Sequence, residues 1–454
     1  MRFFGDSLII LESYWDSIFD NDTSFRKKIT GLVNNSFIKN VSIVASGSVV
    51  AQLIGIAFSP VITRLYGPEA FGILGVFLAS SAIIVTVSSL TYQIAIVLPK
   101  KDDDAKAIAV LSFIIAAAIS SGIALILFLF RQPLISLLHL EEISSFIFLI
   151  PVFILFTASH KIVEQWIIRK GEFKKKAKVG IVQSLIVNTS KSGIGLIHPG
   201  ALILVSISTF GHLLHAFMLS WTLTKKKHSS HGLKNASWLR FSSIKEAAFR
   251  HKDFPVYRAP QAFLGAFTKN LPMIIIASFF GPVYAGFYAL GQKVIKHPAG
   301  IISDSVGKVF YPWISKAFNE GKNIKLLLTK ATLALAGIGI IPFGAIILFG
   351  PSLFGFIFGN EWVNAGEYSR WLSVWIFFDF IRVSAIQTIP VIGIQSFFLI
   401  YTTVSTVIRV SALFLAALII KDAVLTVAVF SIVSGLLSLL LLLVTISKCN
   451  IKAV

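Results

Sequence analysis

Uncharged apolar stretches of 20 residues and more recur along the whole chain, residues 72–98 and 423–446 among them, and they constrain its fold more than any motif. A bilayer-crossing helix needs about 20 such residues. Hydrocarbon offers a peptide group no water to bond, so only helices and closed barrels can cross it. Barrel strands alternate over segments of about 10 residues, so the runs here predict helices. Hydrophobic residues make up 55% of the 454 and charged ones 14%, against about 25% charged in soluble domains. That supply suits roughly a dozen crossings, placed at residues 41–63, 72–98, 107–130, 143–166, 179–198, 200–223, 259–280, 284–308, 326–349, 368–390, 393–419 and 423–446. The expected fold is an all-α polytopic membrane protein.

One cysteine, Cys449, excludes a disulfide framework and a thiolate metal site. The nine histidines include no HExxH and no cluster at ligand spacing, so no cofactor or metal is expected. The net charge of +20 is first a question of sidedness. With a cytoplasmic N-terminus, 29 Lys and Arg residues fall in cytoplasmic segments, and only Arg64, Arg131, Arg370 and Lys421 fall outside. The bias orients both termini to the cytoplasm and accounts for most of the charge without nucleic acid.

The expected organisation is a cytoplasmic tail over residues 1–40, six spans over 41–223, a basic cytoplasmic linker with a surface helix over 224–258, six spans over 259–446, and a short tail over 447–454. The two sets of spans echo one another. Gly67-Pro68 to Gly72 and Gly281-Pro282 to Gly286 are both GPxxxG after an aromatic residue, 214 positions apart; Pro133 and Pro351, two spans later, are 218 apart. Six spans per repeat is even, so the repeats run parallel, related by an axis along the membrane normal.

Eight cations remain inside proposed spans: Lys161, Lys191, Lys269, Lys293, Lys296, Lys308, Arg382 and Arg409. Only Asp304 and Asp379 are clearly intramembrane acids. A charge at bilayer depth costs at least about 2.5–3.5 kcal/mol and normally faces a cavity or a partner. On the eighth span Lys293, Lys296, His297, Gly300, Asp304 and Lys308 share one helical face roughly 22 Å long, which reads as the wall of an aqueous path. Asp379 and Arg382, three apart, can pair. Lys269 and Arg409 have no local acid and are better candidates for substrate, as is Lys191 for the first half. Lys161 is expected to pair with Glu164 or snorkel. Asp304, Asp379 and His297 are candidates for ion coupling. His160, His212 and His215 stand open between proton carriers and packed core residues. A cation-lined cavity suits a phosphate-bearing substrate, through charge-assisted hydrogen bonds.

The segments Arg64 to Gly72, Gln93 to Pro99, Trp166 to Phe173, Asn270 to Pro272, Phe280 to Leu290, Val309 to Pro312 and Phe358 to Trp362 resemble the polysaccharide transporter family, the O-antigen (Wzx-type) flippases. The resemblance covers about residues 36 to 445. It implies an exporter-superfamily fold of two six-helix lobes in the cell inner membrane. It also implies translocation of undecaprenyl-pyrophosphate-linked oligosaccharide to the outer leaflet, without enzymatic chemistry, coupled to H+ or Na+ as relatives suggest. Partners would be the lipid-linked oligosaccharide, membrane lipids, and polymerase and chain-length machinery. The family's cationic lumen corresponds to Lys293, with Lys296, Lys269, Arg382 and Arg409 placed by span and depth. Two other readings stand beside it. A multidrug exporter of the same superfamily would want acidic lumen residues. A glycan polymerase would want a sizeable outer loop, and residues 350–367 offer only Glu361 and Glu367 as acids.

Overall fold

The computed structural model describes residues 36–138, 144, 146–224, 238 and 240–449; the expected N-terminal tail up to residue 35, most of the basic run after residue 224, and the last five residues lie outside these. The first half comprises α1 (Ser36–Ala57), α2 (Ser59–Val87), the short α3 (Tyr92–Ala95), α4 (Asp102–Leu138), α5 (Leu149–Arg169), α6 (Phe173–Gly195) and α7 (Ala201–Thr224). The linker helix α8 (Phe241–Arg250) follows, then a π turn over Phe254–Arg258. The second half comprises α9 (Ala259–Phe280), α10 (Pro282–Asn319), α11 (Ile324–Phe358), α12 (Val363–Ile381), α13 (Val383–Thr388), α14 (Gln395–Ile420) and α15 (Ala423–Lys448). Among the described residues every regular element is helical, and seven helical stretches are long and apolar enough to cross a membrane. These lie in α2, α4, α7, α9 with its preceding turn, α11, α14 and α15. Helices α5, α6, α10 and α12 are 19 to 38 residues long but carry charged side chains at intervals, and those charges form the site.

Helix pairing repeats along the chain. α1 packs on α6 as α9 packs on α14; α4 packs on α5 as α11 packs on α12. The pairs α5–α7 and α12–α15 correspond likewise, as do α6–α7 and α14–α15. The GPxxxG copies also share a backbone. Gly67 has φ 67° and ψ 173°, Gly281 φ 91° and ψ 173°, a conformation essentially limited to glycine. Each glycine turns the chain at one face and starts a proline-led helix, since proline suits a first turn.

The halves meet through α2 against α9 and α10. A Cβ on Gly72 would lie 1.7 Å from the Pro282 carbonyl oxygen, and one on Gly286 1.9 Å from that of Pro68. The two motif copies therefore cross backbone to backbone, each at the other's glycine. Around them Arg64 donates to the Phe356 and Ile357 carbonyls at 2.9 and 3.2 Å, and Trp362 Nε1 donates to the Thr63 carbonyl at 3.1 Å. Phe71 and Phe287 both pack edge-on to Trp362. One hydrophobic core runs through this join from Tyr66 and Phe77 to Ile276, Phe287 and Trp362.

The basic segments gather at the opposite face. Arg169 donates to the Ile96 carbonyl at 3.1 Å and pairs with Asp102 at 3.1 Å, and Lys170 also bonds Asp102. The linker helix docks here. Ala247 lies buried with Ala105, Ile108 and Leu111, and Ile244 and Ala248 pack against them. Tyr92 donates to the Ala248 carbonyl at 3.0 Å, Thr91 to that of Phe254 at 3.1 Å, and Arg250 reaches Asp104 at 3.4 Å. Burial, then the neighbouring Arg250, pushes the His251 imidazole below its ordinary 6.5. A lowered histidine contributes stability in its neutral form, and this is lost as pH falls below about 6.5. Spin labels at Lys245→Cys and Lys174→Cys are expected to report a loosened α8 under acid in the parent protein, with His251→Gln flattening the response; a docking distance unaffected by pH contradicts this.

Several expected boundaries move. The span placed at 72–98 ends at Val87: Leu90 and Thr91 follow with φ of 47° and 61°, a left-handed backbone that a right-handed helix cannot include. The span placed at 284–308 continues to Asn319 and stops at Gly321, φ 69°. The span placed at 368–390 breaks at Arg382. Residues 36–40, assigned to the tail, already belong to α1.

Candidate functional site

Three cations of the second half, Arg382, Arg409 and Lys296, surround one carboxylate. Asp379, near the end of α12, pairs with Arg382 one turn later at 2.8 Å and accepts from Ser438 of α15 at 2.8 Å. Arg409 of α14 reaches the same Ser438 at 3.3 Å and the Ser434 carbonyl at 3.5 Å. Lys296 of α10 stands 5.1 Å from the Trp375 ring centroid, within the field of Asp379, Lys269, Arg409 and Arg382. Arg409, which has no acid on its own helix, thus meets Asp379 across the bundle through a shared serine. Its charge is only shared. With three cations against one carboxylate the cluster remains positive.

Donors in this cluster are left over. Among the described residues the buried Nε of Arg409 and Nε1 of Trp375 have no hydrogen-bond partner, nor has the Ser434 hydroxyl. Buried polar groups are normally satisfied, so a positive pocket with spare N–H groups is shaped for an acceptor.

The expected stripe on α10 divides. Lys293 faces the first half, where it repels Lys191 of α6 across the join; Lys296, three residues on, turns to the Asp379 cluster. Lys191 is positioned through its backbone, because Tyr66 of α2 donates to its carbonyl at 2.8 Å and Gly195 lets that ring approach. His297 is exposed. Asp304 and Lys308 lie further along, lining a cavity of about 610 Å³ with Gly307, Tyr311 and Gln387. Its lining also includes Val383, which directly follows Arg382. Lys269 is exposed on α9. Glu164 pairs with Lys176 of α6 at 2.7 Å, and not with Lys161 as expected, because α6 brings an ammonium closer than the neighbouring position on its own helix. The two acids of residues 350–367 have local duties: Glu367 binds Arg370 at 3.0 Å, and Glu361 lies against Gly67.

Trp375, Ser434 and Ser438 were not singled out from the sequence. Their signal is spacing: Trp375 precedes Asp379 by one helical turn, and Ser434 and Ser438 recur at i, i+4 in an otherwise apolar helix.

Exposure along the central helices is graded. Met273, Ile275 and Ile276 of α9 and Phe287, Tyr288 and Leu290 of α10 are buried beside the glycine crossing. At the other end Phe263, Leu264 and Phe267 of α9 and Asp304, Lys308 and Tyr311 of α10 are exposed, while Phe310 and Ile314 on another face of α10 stay buried.

Among solved structures, an inward-facing multidrug resistance MATE family transporter of the MOP superfamily superposes with TM-score 0.63 at 13% identity, over 90% of this chain and 96% of that one. The lipid II flippase MurJ in an inward closed conformation gives 0.63 at 12%, over 92% and 90%. A MOP superfamily transporter from Pyrococcus furiosus, whose binding pocket is described as having reverse polarity, gives 0.55 at 13%, over 91% and 95%. These likenesses establish the fold. In sequence, the succinoglycan biosynthesis transport protein ExoT of Rhizobium meliloti is 22% identical over 313 residues, 67% of this chain; the match spans 59% of that relative's length. The profile of the polysaccharide biosynthesis protein family matches residues 61–367. These residues include both glycine turns, the join between the halves, Lys191, Lys269, Lys293 and Lys296, and the chain, an integral membrane protein, belongs to that family.

Proposed function

We propose that the protein is a flippase moving undecaprenyl-pyrophosphate-linked oligosaccharide, the repeat unit of an O-antigen or similar surface polysaccharide, from the cytoplasmic to the outer leaflet of the inner membrane. No bond is made or broken. In this reading twelve crossings form two six-helix lobes with both termini in the cytoplasm. The observation that carries the reading is the cluster of Lys296, Arg382 and Arg409 around one carboxylate, with Arg409 Nε and Trp375 Nε1 unpartnered. A pyrophosphate offers this surplus the negative oxygens it lacks. Lys191 and Lys293 add a second cationic pair between the lobes, so the head group is held from both sides while the prenyl tail remains in lipid. Rocking about the glycine crossing then presents the cavity to either leaflet. The family match and the polysaccharide-transport relative support the substrate class. A cationic drug would meet repulsion here, which disfavours the multidrug reading.

The test is a leaflet-resolved assay of a pyrophosphate-linked glycan in reconstituted vesicles. Losing a hydrogen bond to a charged group costs about 1.5–3 kcal/mol. Lys293→Ala and Arg409→Ala are therefore each expected to slow flipping by roughly tenfold or more. No flipping by the parent protein defeats the function, and unimpaired flipping by both variants defeats the site.

A further inference from the structure

Three histidines that the cationic cavity does not use come together in the first half. His160 of α5 and His215 of α7 stack with ring centroids 4.1 Å apart and planes at 26°. His212, on the same face of α7 one turn earlier, lies 5.9 Å from His160 and edge-on to Phe153 at 5.0 Å. All three are half-buried, and the buried Nδ1 of His212 has no hydrogen-bond partner. The fixed charges around them come from two helices. α5 supplies Lys161 and Glu164, and α6 supplies Lys176, which pairs with Glu164, and Lys191. From α2 the neighbour is Phe77, packed edge-on to Phe153. Apolar packing needs neither three imidazoles nor an orphaned nitrogen.

We propose that His160, His212 and His215 form a proton-binding site whose occupancy is linked to anion binding in the adjoining cationic cavity. The inference rests on the cavity reading above. One proton from water adds to an imidazole lone pair, and the charge of the trio rises from zero to +1. Stacking at 4.1 Å disfavours a second proton, since like charges in contact cannot both form readily. Lys161, Lys176 and Lys191 outnumber Glu164, so an imidazolium is held best when further negative charge approaches. Lys191 is the link, because it lies in the field of both His212 and Lys293. An anion between Lys191 and Lys293 therefore favours the proton, and the proton favours the anion by the same factor.

The experiment is calorimetry of inorganic pyrophosphate binding to the full chain in detergent. It is run in pairs of buffers with different ionisation heats, comparing the parent protein with His160→Gln/His212→Gln/His215→Gln. The ligand's own protons cancel in the difference. Near pH 6 the parent protein is expected to take up about half a proton more per anion than the variant, and its affinity to rise roughly threefold more per pH unit lowered. Equal proton uptake by both proteins overturns the linkage and leaves the cavity standing. No binding of pyrophosphate by the parent protein overturns both. Nitrogen NMR of histidine-labelled parent protein is the second measurement. Three imidazoles that stay neutral down to about pH 4.5 overturn the proposal even where the triple variant does not fold.

Discussion

Gly286→Val is expected to force α2 and α10 apart at their glycine crossing and to abolish transport. Overpacking an ordinary core costs about 1–3 kcal/mol because side chains yield. Here the obstacle is the Pro68 carbonyl, 1.9 Å from where a Cβ would sit, and backbone in a helix cannot turn aside, so the cost should lie at or above the top of that range. Spin labels at Glu69→Cys and Tyr284→Cys should separate by several ångströms, and thermal unfolding in detergent should fall sharply. Gly75→Ala is the control. Its added methyl meets the terminal methyl of Met273 at 1.9 Å, a flexible tip that can swing away, and the change should be tolerated. A Gly286→Val protein with parental stability and distance would mean that the crossing is not a close contact.

Asp379→Asn is expected to be the most damaging single polar change in the second half. It leaves Arg382 and Arg409 without their carboxylate. Removing one member of a buried pair costs about 3–5 kcal/mol. The side chains of Asp379 and Arg382 retain 28% and 17% exposure, so the loss should fall toward the lower end. Asp379→Asn/Arg382→Gln should regain at least about 1 kcal/mol, since contacting residues are not additive. Denaturant unfolding in detergent completes the cycle, and additive losses would show that the pair is not coupled. The single variant should also bind pyrophosphate more tightly while it remains folded, because its pocket has lost the one competing anion.

The repeated GPxxxG was informative in sequence because its cause is local: a positive φ followed by a proline-led helix needs those residue types whatever surrounds them. The same holds for the pairing of Asp379 with Arg382, three apart on one helix. What sequence could not show lies between helices. Arg409 and Asp379 share a serine from a third helix, and Lys293 and Lys296 part company because α10 is packed against different neighbours on either flank. The Glu164–Lys176 pair depends on how α6 leans on α5. The break at Leu90 and Thr91 was hidden for another reason. Apolar residues continue through it, so hydropathy does not mark the left-handed backbone at Leu90 and Thr91.

The docked linker has a mechanical consequence. Tyr92, Thr91 and Asp104 fasten α8 and the following turn to the first half, and α9 begins directly after that turn. At its other end α9 is gripped beside the glycine crossing. A rod clamped at both ends cannot swing clear as a rigid door when the halves part; it has to flex along its length. Pro272 lies inside α9, where a ladder hydrogen bond is already missing, so in the proposed rocking the strain would concentrate there, three residues from Lys269. Such a movement would carry that ammonium with it.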